Sequence, residues 1–214
     1  MTNRSPPEVI LVHGLWFGAW AMARLARRLQ AEGFAVRRFS YPSTAGRIDE
    51  HADRLLEFSR QTRAGELHFI GHSLGGLVIL HMLGGAPDLP PGRVVLLGSP
   101  LAGSTVARQT RRIPGSRKLL GRVRKTLERG YGKLSAGRET GMIAGTRAIG
   151  LGLLVGGAER PGDGTVSVNE TRTVGLKDHL LLPVNHTGLL YAPEVARQAA
   201  IFLRTGSFEW PAAC

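Results

Sequence analysis

The sequence has a single cysteine among its 214 residues, and that residue, Cys214, is the last. One cysteine excludes an internal disulfide framework. No apolar run approaches the roughly 18 residues that a membrane-spanning helix requires. The first seven residues contain no apolar stretch of the kind found in a secretory leader. These absences lead us to expect a cytoplasmic globular protein.

Acidic residues are scarce: 16 Asp and Glu stand against 28 Lys and Arg, which gives a net charge of +12. The excess is concentrated between Thr105 and Gly150, where twelve basic residues accompany two acidic ones. This segment has one aromatic residue, Tyr131, on which a base could stack, so nucleic acid is not an expected partner. Two interpretations stay open for the segment: a surface that contacts anionic membranes, and a solvated basic face without a partner.

Short apolar runs alternate with helical patterns along the chain. Continuous apolar strands of this kind predict a mostly parallel sheet of about six strands with helices on both faces. Ligands of such sheets bind beyond the carboxyl ends of the strands. The predicted strands are Val9–Val12, Val36–Phe39, Leu67–Ile70, Val94–Leu97, Met142–Thr146 and Leu180–Leu182. The predicted helices are Gly18–Gly33, Ile48–Leu56, Leu74–Leu83 and one that begins at Pro193.

The segment Gly71-His72-Ser73-Leu74-Gly75-Gly76 lies between a predicted strand and a predicted helix. Its Gly-x-Ser-x-Gly pattern is typical of a nucleophile elbow, a sharp turn that presents a serine hydroxyl at the sheet edge. Gly71 and Gly75 leave room for the backbones around the turn. The N–H of Leu74, at the start of the helix, is placed to donate to a developing oxyanion.

Three further motifs follow the chain order that this chemistry needs. They are His13-Gly14-Leu15-Trp16, Gly162-Asp163-Gly164-Thr165-Val166 and Asn185-His186-Thr187-Gly188. Together with the elbow they resemble the α/β-hydrolase superfamily, in particular its small bacterial serine esterases and lipases, and they span nearly the whole chain.

The resemblance implies roles for individual residues. It implies Ser73 as nucleophile, Asp163 as acid and His186 as base, in the order that the fold imposes. It also implies that the N–H of Leu15 is the second oxyanion donor. The alternative acid position of some hydrolases falls at 98–100 here and offers no carboxylate.

The same comparison implies that neither a metal nor a cofactor is needed. Larger secreted lipases carry a calcium ligand just after the catalytic histidine, whereas residues 187–189 contain no carboxylate. Two aromatic residues beside the oxyanion motif, Trp16 and Phe17, are candidates to line an acyl pocket, although a place in the core is equally compatible with their pattern.

We expect one domain over residues 1–214, with residues 101–150 as a basic cap or lid insertion. Within it, Ile113, Leu119, Leu120, Val123 and Leu127 predict an apolar stripe on a helix, and Arg122, Arg124, Lys125 and Arg129 are predicted to face outward. Such a lid would cover the acyl pocket.

The sequence therefore predicts a serine hydrolase that cleaves a small-molecule or lipid carboxylic ester. Two alternatives stay open. One is acyl transfer to an acceptor other than water on the same three residues. The other is a non-catalytic protein that binds a lipid or a partner through the basic insertion. Neither the acyl chain length nor the oligomeric state can be inferred from the sequence.

Overall fold

The computed structural model describes residues 6–85, 88–110, 119–134, 137–149 and 159–210. Six strands in these ranges form one sheet with the order β2-β1-β3-β4-β5-β6, and all five neighbouring pairs are parallel. The prediction of a mostly parallel sheet of about six strands is therefore confirmed. The strands are β1 (Glu8–Val12), β2 (Ala35–Phe39), β3 (Leu67–His72), β4 (Val94–Leu97), β5 (Thr140–Gly145) and β6 (Asp178–Leu182).

Helices connect the strands and cover both faces of the sheet. The α-helices are α1 (Ala23–Ala31), α2 (Ile48–Arg60), α3 (Leu74–Gly84), α4 (Thr105–Gln109), α5 (Arg124–Arg129), α6 (Gly188–Tyr191) and α7 (Pro193–Thr205). Short 3-10 turns occupy Ala19–Met22, Gly121–Val123 and Asn169–Thr171. The helix predicted over Gly18–Gly33 thus begins with a 3-10 turn and becomes α-helical at Ala23. Among the described residues, none of the helices has the length and apolar character needed to cross a membrane.

The sheet separates two apolar cores, because successive residues of a strand point to opposite faces. In β1, Ile10 and Val12 belong to the core that contains the buried faces of α2 and α3. Val9 and Leu11 belong to the core that contains α1 and α7. Burial on both faces explains the unbroken apolar residues of a central strand such as β4, and it leaves the strand ends as the exposed edge at which a site can form.

Several predicted strand boundaries differ from the structure by one or two residues; β5, for example, runs from Thr140 to Gly145 rather than from Met142 to Thr146. Two of the differences share one reason. β3 continues through Gly71 and His72, two residues beyond the predicted end, and the N–H of Ser73 still donates to the carbonyl oxygen of Leu97 at 2.9 Å. β6 begins at Asp178, two residues before its apolar run. Backbone hydrogen bonds continue a strand whatever its side chains are, so hydrophobicity alone places the ends short.

The apolar stripe predicted on a helix of the basic insertion holds only in part over the described residues. Ile113 lies outside the described residues. Leu119, predicted to be in the apolar stripe, is 50% exposed. Gly121 adopts φ +63° against the carbonyl of Thr44, and this left-handed residue interrupts the helix, which resumes at Arg124.

We call residues 119–129 the cap segment. Its buried apolar residues, Leu120, Val123 and Leu127, pack into the core beside α3. Its exposed basic residues are Arg122, Lys125 and Arg129, whereas Arg124, predicted to face outward, is only partly exposed and lies 3.6 Å from the Glu128 carboxylate.

The small residue Gly141 in β5 allows α7 to pack on the sheet. A Cβ added there would lie 2.6 Å from the ring of Phe202. We expect Gly141→Ala to lower the free energy of unfolding by about 1–3 kcal/mol through overpacking. Urea denaturation followed by circular dichroism measures this change. The matched control is Gly65→Ala, whose added Cβ meets no atom within 4 Å; equal midpoints for the two variants would contradict the prediction.

A buried histidine makes the stability of the fold dependent on pH. His68 in β3 is 1% exposed, and its Nδ1 accepts the N–H of Arg93 at 2.9 Å. Burial, aided by Arg93 and Arg138, outweighs the Glu66 carboxylate 3.3 Å from Nε2 and lowers the pKa of His68 to about 4. The unfolded chain therefore binds a proton between about pH 6.5 and pH 4 that the folded chain does not. As the pH falls through this window, His68 lowers the free energy of unfolding by up to about 1.4 kcal/mol per pH unit.

We expect His68→Asn, which keeps an acceptor near Nδ1 but cannot titrate, to show a shallower loss of stability from pH 6.5 to pH 4.5. Urea midpoints at four pH values measure the slope. An identical slope in the variant and the parent protein would show that His68 does not carry this effect.

Candidate active site

Ser73 lies at the apex of the turn between β3 and α3. Its backbone has φ +53° and ψ −119°, a conformation that a residue with a side chain rarely adopts. Holding a residue there costs on the order of 1–3 kcal/mol, which the surrounding structure must supply. The strained turn lifts the serine to the carboxyl edge of the sheet and leaves it partly exposed, in the manner of a nucleophile elbow.

Glycines around the turn allow its backbones to approach closely. A Cβ on Gly71 would lie 2.6 Å from Cα of Gly76 in α3, and a Cβ on Gly75 would lie 2.3 Å from the carbonyl oxygen of Val12 in β1. Both distances are shorter than side-chain contacts permit. The helix therefore packs against the ends of two strands at once, and this packing holds Ser73 in its strained conformation.

Asp163 and His186 form a short hydrogen bond at the same edge of the sheet. Nδ1 of His186 lies 2.6 Å from Oδ2 of Asp163, and the backbone N–H of His186 donates to the Asp163 carbonyl oxygen at 3.0 Å. The other carboxylate oxygen, Oδ1, accepts the N–H groups of Thr165 (2.9 Å) and Val166 (2.8 Å). The acid and the histidine are therefore fixed relative to each other by both side chain and backbone.

The carboxylate of Asp163 stays ionised although it is 1% exposed. Burial by itself raises its pKa, but the charge of His186 and the hydrogen bonds from His186, Val166 and Thr165 outweigh burial, so the net pKa is lowered. An ionised carboxylate can only accept, so Nδ1 of His186 carries the proton in this bond. In the neutral ring this leaves Nε2 as the acceptor, which is the nitrogen that can act as a base.

Gly98 makes room for this pair. It follows β4 with φ +59°, and a Cβ on it would lie 3.0 Å from Oδ2 of Asp163 and 3.3 Å from Nδ1 of His186. The sequence shows only that no carboxylate is available at this position. In the structure the carboxylate of Asp163 reaches this position from a later loop, and the Leu189 side chain lies closer still, 2.7 Å from the added Cβ. Glycine is favoured here by these contacts and by the positive φ.

His72 holds the backbone and the ring of His186 in place, a role that sequence reasoning missed. Its Nε2–H donates to the backbone carbonyl oxygen of His186 at 3.1 Å, and the two ring centroids are 4.7 Å apart. Burial, reinforced by the charge of His186, lowers the pKa of His72 to about 3, so its ring is neutral. Its position directly before Ser73 is the one sequence signal that could have indicated this role.

The turn after β1 is held by a second buried histidine, His13. Its Nδ1 lies 2.8 Å from the carbonyl oxygen of Gly14, and its Nε2 accepts the N–H of Tyr41 at 3.3 Å. The Tyr41 hydroxyl donates to the His13 carbonyl oxygen at 2.9 Å. Burial lowers the pKa of His13. These bonds fix the turn that carries Leu15.

The backbone N–H groups of Leu15 and Leu74 are free to bind an anion. Neither donates to a protein acceptor within the described part of the chain. Leu74 is the first residue of α3, where the first N–H groups have no intrahelical partner and the helix dipole favours negative charge. Leu15 and Ser73 line the same cavity.

Trp16 connects the turn after β1 to the cap segment. Its backbone N–H donates to Oγ of Ser43 at 3.0 Å, and its indole N–H donates to the carbonyl oxygen of Leu119 at 2.8 Å. Its φ is +62°, and among the described residues only Trp16 and Ser73 are non-glycines with positive φ. Backbone strain of this kind concentrates at functional sites, and here both instances border one cavity.

The cavity at Ser73 and His186 has a volume of about 240 Å³. Trp16 and Phe17, the two aromatic residues named as candidates from the sequence, are part of its lining. The opposite wall comes from α4 and the cap segment. Within the described ranges, no group of three or more His, Cys, Asp or Glu side chains is arranged to hold a metal ion.

Several solved structures resemble this one. The mature lipase BlEst2 of Bacillus licheniformis has a TM-score of 0.72 at 16% identity, covering 95% of this chain and 93% of its own. The metagenomic carboxyl esterase MGS0156 has a TM-score of 0.71 at 16% identity, covering 94% and 75%. The RedJ thioesterase from the prodiginine biosynthetic pathway of Streptomyces coelicolor has a TM-score of 0.61 at 15% identity, covering 92% and 90%. At these identities the likeness establishes the fold.

No curated protein sequence matched the chain. The family comparison is more informative, because the model described as "Alpha/beta hydrolase family" matches residues 9–200, which is most of the chain. That span includes Ser73, Asp163 and His186. The protein belongs to the alpha/beta hydrolase family.

Proposed function

We propose that the protein is a serine hydrolase that cleaves carboxylic esters through an acyl-enzyme, with Ser73, Asp163 and His186 as its catalytic triad. The observation that carries the proposal is the 2.6 Å bond between Asp163 and His186, because it fixes the histidine tautomer at the cavity that contains the strained serine. A serine hydroxyl is a weak nucleophile until a base of this kind removes its proton.

In the acylation step, Oγ of Ser73 attacks the ester carbonyl carbon while Nε2 of His186 takes the hydroxyl proton. Asp163 keeps Nδ1 protonated and stabilises the imidazolium that forms. The carbonyl oxygen becomes an oxyanion, which the N–H groups of Leu15 and Leu74 bind. Collapse of the tetrahedral intermediate breaks the bond to the alcohol oxygen, which leaves with the proton from His186.

In the deacylation step, His186 removes a proton from a water molecule, and the resulting hydroxide attacks the acyl carbon. The second tetrahedral intermediate forms in the same oxyanion site. Its collapse breaks the bond to Oγ of Ser73, which regains its proton from His186. The net reaction consumes one water and gives a carboxylic acid and an alcohol.

Fixed backbone donors favour this chemistry. The turn of Leu15 is held by bonds to Tyr41, and Leu74 is held by the start of α3, so neither N–H must reorganise when charge develops. Preorganised donors of this kind lower the barrier by several kcal/mol, about 2.7–4 kcal/mol for each donor removed in other enzymes.

The names of the similar structures are consistent with acyl transfer to water. They include a lipase, a carboxyl esterase and a thioesterase. All three names describe cleavage at an acyl carbon. Acyl transfer to an alcohol would use the same three residues, and analysis of the products formed in the presence of an alcohol acceptor distinguishes the two reactions.

Replacement of the nucleophile tests the proposal directly. We expect Ser73→Ala to lower kcat for short p-nitrophenyl esters by about 10⁴-fold or more, because acylation then has no nucleophile. Labelling by a fluorophosphonate should be lost as well. Ser207→Ala, at an exposed position after α7, is the control. Retention of labelling in a folded Ser73→Ala protein would contradict the assignment.

Replacement of the acid tests the tautomer argument. Asp163→Asn keeps the shape but provides an amide that can donate to Nδ1 and so stabilise the wrong tautomer of His186. We expect kcat to fall by about 10³–10⁴-fold with little change in KM. The matched control is Asp178→Asn. Asp178 also accepts backbone N–H groups, from His179 and Phe208, but it lies at the N-terminal end of β6, away from the carboxyl edge of the sheet. If Asp163→Asn keeps the activity of the parent protein, as Asp178→Asn is expected to do, Asp163 is not the acid.

A further inference from the structure

The cap segment forms one wall of the cavity at Ser73. Leu120 and Leu127 line this wall, and they are only 4% and 5% exposed. Val123 lies between them in sequence and is fully buried, but it is not part of the lining. The cap segment thus places two leucine side chains against the space that an acyl group attached to Ser73 would enter.

The cap segment is fixed to the body of the protein near both of its ends. At its start, the carbonyl oxygen of Leu119 accepts the indole N–H of Trp16 at 2.8 Å. Near its end, the carbonyl oxygen of Leu127 accepts the N–H of Ser104 at 2.7 Å. These bonds fix this wall of the cavity relative to the body of the protein.

Two more bonds reinforce the cap segment. The N–H of Arg122 donates to the carbonyl oxygen of Thr44 at 3.3 Å, and the guanidinium of Arg108 donates to the carbonyl oxygen of Glu128 at 2.8 Å. The segment is therefore attached to the loop before α2, to α4 and to the turn after β1, which are three separate parts of the fold.

The cavity carries no formal charge in its described lining. Its side chains are apolar residues, small hydroxyl residues and the two histidines His72 and His186, with no Lys, Arg, Asp or Glu among them. This contrasts with a chain whose net charge is +12. A carboxylate in the acyl group would lose its hydration there without gaining a partner, which is strongly unfavourable.

The volume limits the length of the acyl group. A cavity of about 150 Å³ accommodates the six carbon atoms of benzene. By proportion, 240 Å³ accommodates an acyl chain of up to about eight carbons together with the atoms around the reacting carbonyl.

We propose, resting on the function proposed above, that the acyl site takes an uncharged aliphatic chain of about four to eight carbons. Leu120 and Leu127 of the cap segment set its upper limit. Longer chains do not fit because the wall that these leucines form is fixed to the rest of the fold.

The test is a series of p-nitrophenyl esters from two to sixteen carbons, with kcat/KM measured for each. In the parent protein we expect kcat/KM to rise by up to about fourfold per methylene as the chain fills the cavity. We expect a maximum between about four and eight carbons and a fall of at least tenfold by twelve carbons. Charge is tested by comparing p-nitrophenyl hemisuccinate with p-nitrophenyl butyrate, for which we expect kcat/KM about a hundredfold lower for the hemisuccinate.

The cap leucines are tested by truncation. Leu127→Ala and Leu120→Ala each remove three carbon atoms from the wall, so the maximum should move toward chains about two to three carbons longer. The matched control is Val123→Ala, which truncates a buried residue of the same segment outside the lining and should leave the maximum unchanged. Leu127→Val, a smaller truncation with a correspondingly smaller shift, provides the measurement if Leu127→Ala does not fold.

The possible outcomes distinguish this inference from the proposed function. If the folded parent protein hydrolyses no ester of any length and does not react with a fluorophosphonate, the proposed function fails. If esters are hydrolysed but the profile is flat, or the maximum stays in place in both folded leucine variants, the role of the cap segment is wrong. A shift of equal size in Val123→Ala would also overturn the role of the cap segment. Equal kcat/KM values for the hemisuccinate and the butyrate would contradict the preference for an uncharged acyl group.

Discussion

The close packing of α3 against the ends of β1 and β3 is the constraint on which the rest of the site depends. It is closer than any side chain at Gly71 or Gly75 would permit, and it holds Ser73 with a positive φ at the edge of the sheet. The strain at this residue is balanced by burial, because α3 is buried around nearly its whole circumference between the sheet and α2. A stable core on one side of the sheet thus maintains an unfavourable backbone conformation at its edge.

The charge states of the histidines at this edge depend on burial as much as on neighbouring charges. His13 and His72 are both buried, and burial lowers the pKa of each, so neither carries a charge at neutral pH. The carboxylate of Asp163 therefore acts on His186 without competition from these two rings. The neutral histidines contribute hydrogen bonds instead: one fixes the turn of Leu15, and the other fixes the loop of His186.

The sheet edge and the cap segment make different contributions to the site. The residues proposed to carry the chemistry follow strands β1 and β3 or lie in loops next to the strand ends, where backbone bonds fix them. The far wall of the cavity comes from α4 and the cap segment, which are attached through Trp16, Ser104 and Thr44. Changes in the cap segment can therefore alter which acyl group fits while the geometry at Ser73 and His186 is kept.

The sequence by itself determined the features that depend on local chemistry and on periodicity. These are the six strands, their parallel arrangement, the strained turn at Ser73 and the family. Motif order was enough to select Asp163 and His186, which the structure places 2.6 Å apart. The end of β3 was predicted two residues too early, because the backbone hydrogen bonds of the strand continue through Gly71 and His72 regardless of their side chains.

Only the tertiary structure decided what depends on contacts between distant segments. Gly98 is favoured because the side chain of Leu189 and the carboxylate of Asp163, 65 positions later than Gly98, crowd the space that its side chain would fill. The helix of the cap segment is interrupted because Gly121 packs against Thr44, a residue far away in sequence. The hydrogen bonds from the Trp16 indole to the Leu119 carbonyl oxygen and from the His72 ring to the His186 carbonyl oxygen likewise join residues far apart in sequence. No local pattern encodes such partners, because their distance in space is set only when the sheet brings its strand ends together.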